Sequence, residues 1–316
     1  MNAGRSPGEP RVIALFGPTG VGKTEVAVEL GRLLSGGSKG ASRAVAINCD
    51  SMQVYAGLGL VAGAPRDEQV RELEHRLVGF VPLVSEFSAG QFGDLARKEI
   101  DAVLAEGRWP ILAGGTGLYM RAALTELPLA PQVPRNLEEE IESEVEAVGL
   151  EEVHRALPAD VGREVHPNDR KRIVRYTALV RMGIRPAPAA SGGGELWSAP
   201  FRRPTAPFGL VMDRPRLAER IGARVEEMAR RGAVEEARAA LGAPPSRTAA
   251  KAIGLEEFAR GDLDATVQRH LAFARRQETW LRRMEGVTVI ERDDLSDRDV
   301  AERIFESLDS PTGLEA

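Results

Sequence analysis

The sequence predicts an α/β protein: a parallel sheet flanked by helices, interrupted by an all-helical insert. Short apolar runs without polar alternation read as strands buried on both faces. They are Val12-Ile13-Ala14-Leu15-Phe16, Ala44-Val45-Ala46-Ile47, Ile111-Leu112-Ala113 and Phe208-Gly209-Leu210-Val211-Met212. Segments with helical periodicity separate them, and that alternation argues a parallel sheet. Beyond the prolines of 127–134 the pattern turns purely helical, until a Gly/Pro-rich stretch at 183–207. We therefore expect a core domain from 1–131 and 206–316 with a helical insert at 132–205.

The first strand runs into Gly17-Pro18-Thr19-Gly20-Val21-Gly22-Lys23-Thr24, which fits G-x-x-x-x-G-K-[ST] without mismatch. Glu25 to Leu30 then reads as a helix, so strand, glycine loop and helix follow in the order a P-loop needs. This makes the core P-loop NTPase-like. The second strand ends at Asn48-Cys49-Asp50, continuing as Ser51-Met52-Gln53-Val54-Tyr55. Glycine turns and a polar stretch reach His75, and 80–84 is expected as a short strand. Phe92, Leu95, Ala96, Ile100, Val103 and Leu104 place a helix over 91–106, stopped by Gly107. The third strand enters Gly114-Gly115-Thr116-Gly117-Leu118-Tyr119, where another helix starts. Insert helices are expected at 136–148, 151–157 and 169–182. After the returning strand come helices at 215–231, 233–241 and 262–284, an edge strand at 287–290 and a last helix at 300–308.

Composition bounds the partners. The 316 residues carry a net charge of −5, so any nucleic-acid contact needs a local basic patch. Cys49 is the single cysteine, which excludes an internal disulfide, and the histidines lack metal-ligand spacing. The N-terminus has no signal-peptide core and no apolar run is long enough to span a bilayer. The expectation is a soluble cytoplasmic protein.

In open parallel sheets ligands bind beyond the carboxyl ends of the strands. Those ends carry Gly17–Thr24, Asp50–Gln53, Gly114–Thr116 and Asp213-Arg214, and the fold would aim them into one cleft. Loop amides and the helix N-terminus suit phosphate, Lys23 adds a charge, and the Thr24 hydroxyl can ligate Mg²⁺. Asp50 reads as a Mg²⁺ ligand, as a general base, or as a helix N-cap. Thr116 is either a donor to ligand or an N-cap, and Arg214 either a diphosphate clamp or a surface arginine. Two basic segments stand out. Arg170, Lys171, Arg172 and Arg175 form one; Arg275, Arg276, Arg282 and Arg283 flank the other, around a stripe of Phe273, Gln277, Trp280, Leu281 and Met284. Each is either a solvated face or a nucleic-acid patch.

The motifs together resemble the tRNA dimethylallyltransferase (tRNA isopentenyltransferase) family. The matching pieces are GPTGVGKT at 17–24, DSMQVY at 50–55, GGTGLY at 114–119 and HPNDRKRIVR at 166–175. DRPRLAERI at 213–221, KAIGLEE at 251–257 and RRQETWLR at 275–282 complete them, in family order over most of the chain. The resemblance implies dimethylallyl diphosphate as donor, Mg²⁺, and the anticodon stem-loop of tRNA as acceptor, gripped by the insert; we expect a monomer with no membrane contact. It implies Asp50 as general base for the adenine N6 amine, Thr116 at the reacting centre, and Lys23, Thr24 and Arg214 around diphosphate and metal. It implies tRNA contacts from Asp50, Ser51, Met52 and Gln53, and from Lys171, Arg172, Ile173, Val174 and Arg175. Lys251, Ala252, Ile253 and Gly254 belong to the same set, as do Arg275, Arg276, Gln277, Thr279, Trp280 and Arg282. The chain departs from the pattern at Val61-Ala62-Gly63-Ala64-Pro65, where the family runs toward Gly-Thr-Ala-Lys-Pro. It departs also at His75-Arg76-Leu77, at acidic Glu138 and at Leu255. These departures bear on acceptor affinity or rate rather than on reaction type. The alternatives are an adenylate isopentenyltransferase acting on free nucleotide, a P-loop kinase using ATP, and a tRNA-binding protein without catalysis.

Overall fold

The computed structural model describes residues 9–36, 43–127, 129–186 and 199–308. The glycine run at 192–194 and most of the N-terminal stretch lie outside the described residues. The chain divides into two compact units, Met1–Thr125 with Phe201–Ala316, and Glu126–Pro200. The second unit thus starts and ends a few residues before the expected 132–205.

In the first unit a six-stranded sheet has the order β3-β2-β4-β1-β5-β6. The strands are β1 (Val12–Phe16), β2 (Ala44–Asn48), β3 (Glu74–Arg76), β4 (Trp109–Gly114), β5 (Thr205–Val211) and β6 (Thr288–Glu291), every pair parallel. The helices are α1 (Lys23–Leu34), α2 (Asp67–Glu72), α3 (Ala89–Ala105) and α4 (Gly117–Leu124) before the insert. After it come α9 (Arg214–Arg230), α10 (Ala233–Gly242), α11 (Leu255–Arg260), α12 (Leu263–Leu281) and α13 (Asp297–Leu308). β1 and β2 are buried at every position, which is why they read as unbroken apolar runs. Local signals set the helix starts. Ser88 and Gln91 make a reciprocal capping box on α3, and the Asp262 carboxylate accepts from Ala265 N (2.9 Å) on α12.

The chain leaves β1 for β2 and β3 on one side, and β4 for β5 and β6 on the other. The direction reverses beside β1, where such sheets open a ligand crevice. Register aligns the rim: Phe16 pairs with Gly114 and with Gly209, and Asn48 with Ala113.

Some elements differ from expectation. Residues 80–84 form no strand; Val81 makes only an isolated bridge to Tyr55. The edge strand β3 lies instead in the stretch read as polar. It tolerates charge because it sits at the rim, where Arg76 bonds Glu74 (2.7 Å), Glu99 (2.9 Å) and Glu106 (3.4 Å). The short helices α2 and α11 carry too few turns to show a period.

The second unit contains α5 (Arg135–Val148), α6 (Leu150–Arg155), α7 (Ala159–Gly162) and α8 (Arg170–Arg181). Its core is Val133, Ile141, Val145, Val153, Val165, Ile173, Val174, Ala178 and Leu179. α5 and α8 pack with their charges matched: Arg170 Nε donates to Glu142 (2.7 Å) and Arg181 Nη1 to Glu140 (3.1 Å). The acidic helix and the basic helix thus neutralise one another in part. No helix among the described residues is long and apolar enough to cross a membrane.

Gly114 ends β4 where the Cys49 backbone comes closest; a Cβ there would collide with Cys49 C and O. Gly114→Ala is therefore expected to lower unfolding free energy by about 1–3 kcal/mol. Denaturant titration checks this; an unchanged midpoint would refute the close approach.

Candidate active site

The P-loop leaves β1 at Gly17 and enters α1 at Lys23, with Gly22 in the left-handed region (φ 94°) as N-cap. Lys23 Nζ donates to Gly17 O (2.8 Å) and Pro18 O (2.9 Å), closing the loop on itself. Burial, reinforced by the Arg224 guanidinium, lowers the Lys23 pKa to about 8 against the opposing pull of Asp50 and Glu25. A polar cavity of about 50 Å³ opens here, lined by Thr19, Gly20, Gly22, Lys23, Thr24 and Glu25 of the loop. Asp50, Gln53, Ala62, Gly63, Ala113, Gly114, Arg224 and Gln277 complete its wall. Strand ends of β1, β2 and β4 therefore do meet.

Asp50 stands just past β2 in a tight turn. Its N–H donates to Asn48 Oδ1 (2.9 Å), and its own Oδ1 accepts from Met52 N (2.8 Å). One carboxylate oxygen is thereby committed to the turn. Asp50 caps no helix, which removes the N-cap alternative. Thr116 occupies the N-cap position of α4, yet its side chain makes no capping bond. Its Oγ1 instead faces Ser51, accepting from Ser51 N (3.3 Å) and lying 3.4 Å from Ser51 Oγ. The hydroxyl is tied to the Asp50 loop rather than to its own helix.

The structure brings Arg224, not Arg214, to the cavity. Arg214 opens α9 at the surface, 74% exposed and 3.7 Å from Glu278. Arg224 lies further along α9, beside the buried stripe of Leu217, Ile221, Val225 and Met228. Its Nη2 donates to Gly63 O (3.1 Å), and its buried Nε has no hydrogen-bond partner. Gln53 Nε2 donates to Ala62 O (3.3 Å) and Gly63 O (3.2 Å), and the Glu236 carboxylate accepts from Leu60 N (3.1 Å) and Val61 N (2.7 Å). The departing 61–65 segment is thus held as a fixed wall. A charged residue bordering the apolar stripe of an amphipathic helix was the available signal for Arg224.

Hard oxygen donors suit Mg²⁺, which takes one or two protein ligands and completes its shell with phosphate and water. The Thr24 hydroxyl and the carboxylates of Asp50 and Glu25 line the cavity and fit that ion. Among the described residues no cluster of three or more His, Cys, Asp or Glu forms a metal cage.

The segment 275–282 divides by face. Arg275, Arg276, Thr279 and Arg282 are exposed. Gln277 is 2% exposed and faces inward. Its Oε1 accepts from Thr19 N (2.7 Å) and its Nε2 donates to Gly115 O (3.0 Å), so it joins the P-loop to the Gly115-Thr116 turn. Half-buried Trp280 lies against Gly117, where a Cβ would strike its ring. Elsewhere, Ile173 and Val174 are buried in the second unit's core, and Ala252 and Gly254 are buried in the first. Ile173 and Val174 are structural because they fall on the inner face of α8, and Ala252 and Gly254 are packed in the turn that leads into α11. Lys171, Arg172 and Lys251 are exposed, while Arg175 donates to Ala130 O (3.1 Å) and Pro131 O (3.3 Å).

Gln277→Leu would leave the Thr19 N–H and the Gly115 carbonyl unpaired. It is expected to reduce stability by about 1–3 kcal/mol, read from a denaturant titration. An unchanged midpoint would refute the bridge between the two loops.

The IPP transferase family model matches residues 53–284. The tRNA dimethylallyltransferase of Streptomyces coelicolor is 35% identical over 292 residues, covering 88% of this chain and 89% of that protein. The enzyme of that name from Nitratidesulfovibrio vulgaris is 34% identical over 301 residues, covering 90% and 94%. Among solved structures, the full-length tRNA isopentenylpyrophosphate transferase of Bacillus halodurans has a TM-score of 0.66 and 26% identity, covering 95% of this chain and 96% of that one. A eukaryotic dimethylallyltransferase acting on tRNA shares the fold, with a TM-score of 0.73 at 21% identity over 93% of this chain and 77% of that one. With its sheet order, its P-loop cavity and these likenesses along most of its length, the chain belongs to the IPP transferase family.

Proposed function

We propose that this chain transfers a dimethylallyl group from dimethylallyl diphosphate to N6 of adenosine 37, beside the anticodon of tRNA. The observation that carries the proposal is one cavity in which a phosphate loop, the Asp50 carboxylate and Arg224 converge, with Thr116 tied to its Asp50 loop. An exocyclic adenine amine is a weak nucleophile, so a carboxylate at the acceptor is useful. N6 attacks the allylic carbon, the bond from that carbon to the diphosphate oxygen breaks, and the electron pair leaves with diphosphate. Asp50 takes the N6 proton. Lys23, Arg224 and the loop amides stabilise the charge on the leaving group. Thr24 would hold Mg²⁺, which supplies further neutralisation of the diphosphate. The acceptor base must leave its stack, which an anticodon loop permits at low cost.

The acceptor surface proposed in the first unit is exposed Arg275, Arg276 and Arg282 with Lys251; in the second it is Lys171 and Arg172. An inward polar wall and an outward arginine face favour tRNA over a free nucleotide, which has few phosphates to engage. Incubation with dimethylallyl diphosphate, Mg²⁺ and undermodified tRNA, followed by nucleoside mass analysis, tests the reading. N6-isopentenyladenosine is the expected product; prenylated free AMP with unmodified tRNA would overturn it.

Replacing Arg275, Arg276 and Arg282 together with Ala is expected to weaken tRNA binding and flatten its salt dependence, because fewer counterions are released. Donor binding is expected to persist. Asp50→Ala is expected to cost on the order of 10²–10⁴ in transfer rate while binding of a non-reactive donor analogue changes little. A loss of donor affinity restored by high Mg²⁺ would make Asp50 a metal ligand instead.

A further inference from the structure

Arg292 lies just past β6, outside the segment that the family model matches. It is 2% exposed, an unusual burial for a guanidinium. Nη1 donates to Val21 O (2.6 Å) in the P-loop, and Nη2 donates to Asp297 Oδ1 (2.7 Å) at the start of α13. Its backbone N–H donates to Val211 O (3.1 Å) at the end of β5, which anchors the residue to the sheet. The guanidinium fills the place where Gly22 would carry a Cβ. α13 is itself docked along α1 through buried Val300, Ala301 and Ile304. Asp297 therefore has a rigid base from which to orient the guanidinium.

We propose that Arg292 and Asp297 are a positioning pair for the phosphate loop, and that they set its affinity for the donor's diphosphate. A trans peptide points its carbonyl and the next N–H in opposite directions. Pinning Val21 O on the far side of the loop thus turns the Gly22 N–H toward the cavity that Gly22 lines. A charged donor on Val21 O also polarises that peptide and strengthens the same N–H as a donor. The inference rests on the proposed diphosphate donor, but names neither residue as touching it.

The test is binding of inorganic pyrophosphate with Mg²⁺ to full-length variants, beside steady-state kinetics with dimethylallyl diphosphate and tRNA. Arg292→Met keeps the apolar volume and loses both bonds. Its pyrophosphate affinity is expected to fall about tenfold, the value of one charge-assisted hydrogen bond. Donor KM should rise with kcat at saturating donor and tRNA affinity little changed. Arg292→Lys should recover part of the loss by reaching Val21 O. A variant that is merely less stable would lose active fraction with donor KM unmoved, and that result overturns the proposal. Asp297→Ala sits at a partly exposed position (34%) and decides the matter if Arg292→Met does not fold. Unchanged pyrophosphate affinity in folded Asp297→Ala and Arg292→Met also overturns it. A parent protein that binds pyrophosphate but does not use dimethylallyl diphosphate would defeat the proposed function while leaving the positioning pair standing.

Discussion

Everything in the site depends on how the P-loop backbone is held. Glycine-rich loops have many conformations, and only one presents its amides to an anion. Here successive peptides are tied by different parts of the chain. Lys23 takes Gly17 O and Pro18 O, Gln277 takes Thr19 N, Arg220 takes Gly20 O (3.0 Å) and Arg292 takes Val21 O. The partners come from α1, α12, α9 and the end of β6. The loop is preorganised by long-range contacts, so its conformational entropy is lost on folding and not on binding. The Thr19 N–H pays for this with its availability: Gln277 already occupies it, and the phosphate cradle is left to the other amides.

The same economy governs the carboxylate. The base proposed at Asp50 must be fixed well enough to meet its proton and free enough to accept it. Asp50 gives one oxygen to Met52 N, and its own N–H is held by Asn48, which leaves the second oxygen for that proposed role. Asn48 is 5% exposed and also donates to Leu77 O (2.9 Å), so the turn is fastened to the segment beyond β3. Thr116 reaches across to Ser51 from the β4 side. Asp50 and Thr116 are thus set in register by bonds at the rims of two strands paired within one sheet.

What was legible in the sequence was local. The P-loop, the buried strands and the Asp50 turn each declare themselves within a few residues, because apolar runs and glycine spacing are short-range signals. Arg224 was not legible by the same means. Reading outward from strand ends led to Arg214, the first cation after β5, which the helix start leaves in solvent. The arginine that lines the cavity comes from the inner flank of α9, and only packing shows which face that is. Gln277 was legible as part of a motif but not in its role, since a polar residue in an arginine-rich helix reads equally as a contact to RNA. Ile173 and Val174 lay within a basic segment whose apolar members are core. The edge strand β3 escaped because edge strands carry charge, and α11 because it is too short to show a period.

Helix α12 shows how the proposed acceptor and donor sites would be coupled in construction. Its outward face carries Arg275, Arg276 and Arg282, a patch of cations in a chain of net charge −5. Its inward face carries Gln277 on both loops and Trp280 on Gly117. The helix is rigid over this stretch, and its two faces cannot move independently by more than side-chain adjustment. A polyanion resting on the arginines therefore rests on the element that holds Thr19 and Gly115 in place. Substitutions on the inner face will disturb the P-loop and the Gly115-Thr116 turn first, and those on the outer face will change the surface charge at the proposed acceptor patch. The glycines at 115 and 117 follow from this arrangement. Each is small because α12 presses directly on the turn that carries Thr116, and any side chain there would push the hydroxyl away from the Asp50 loop.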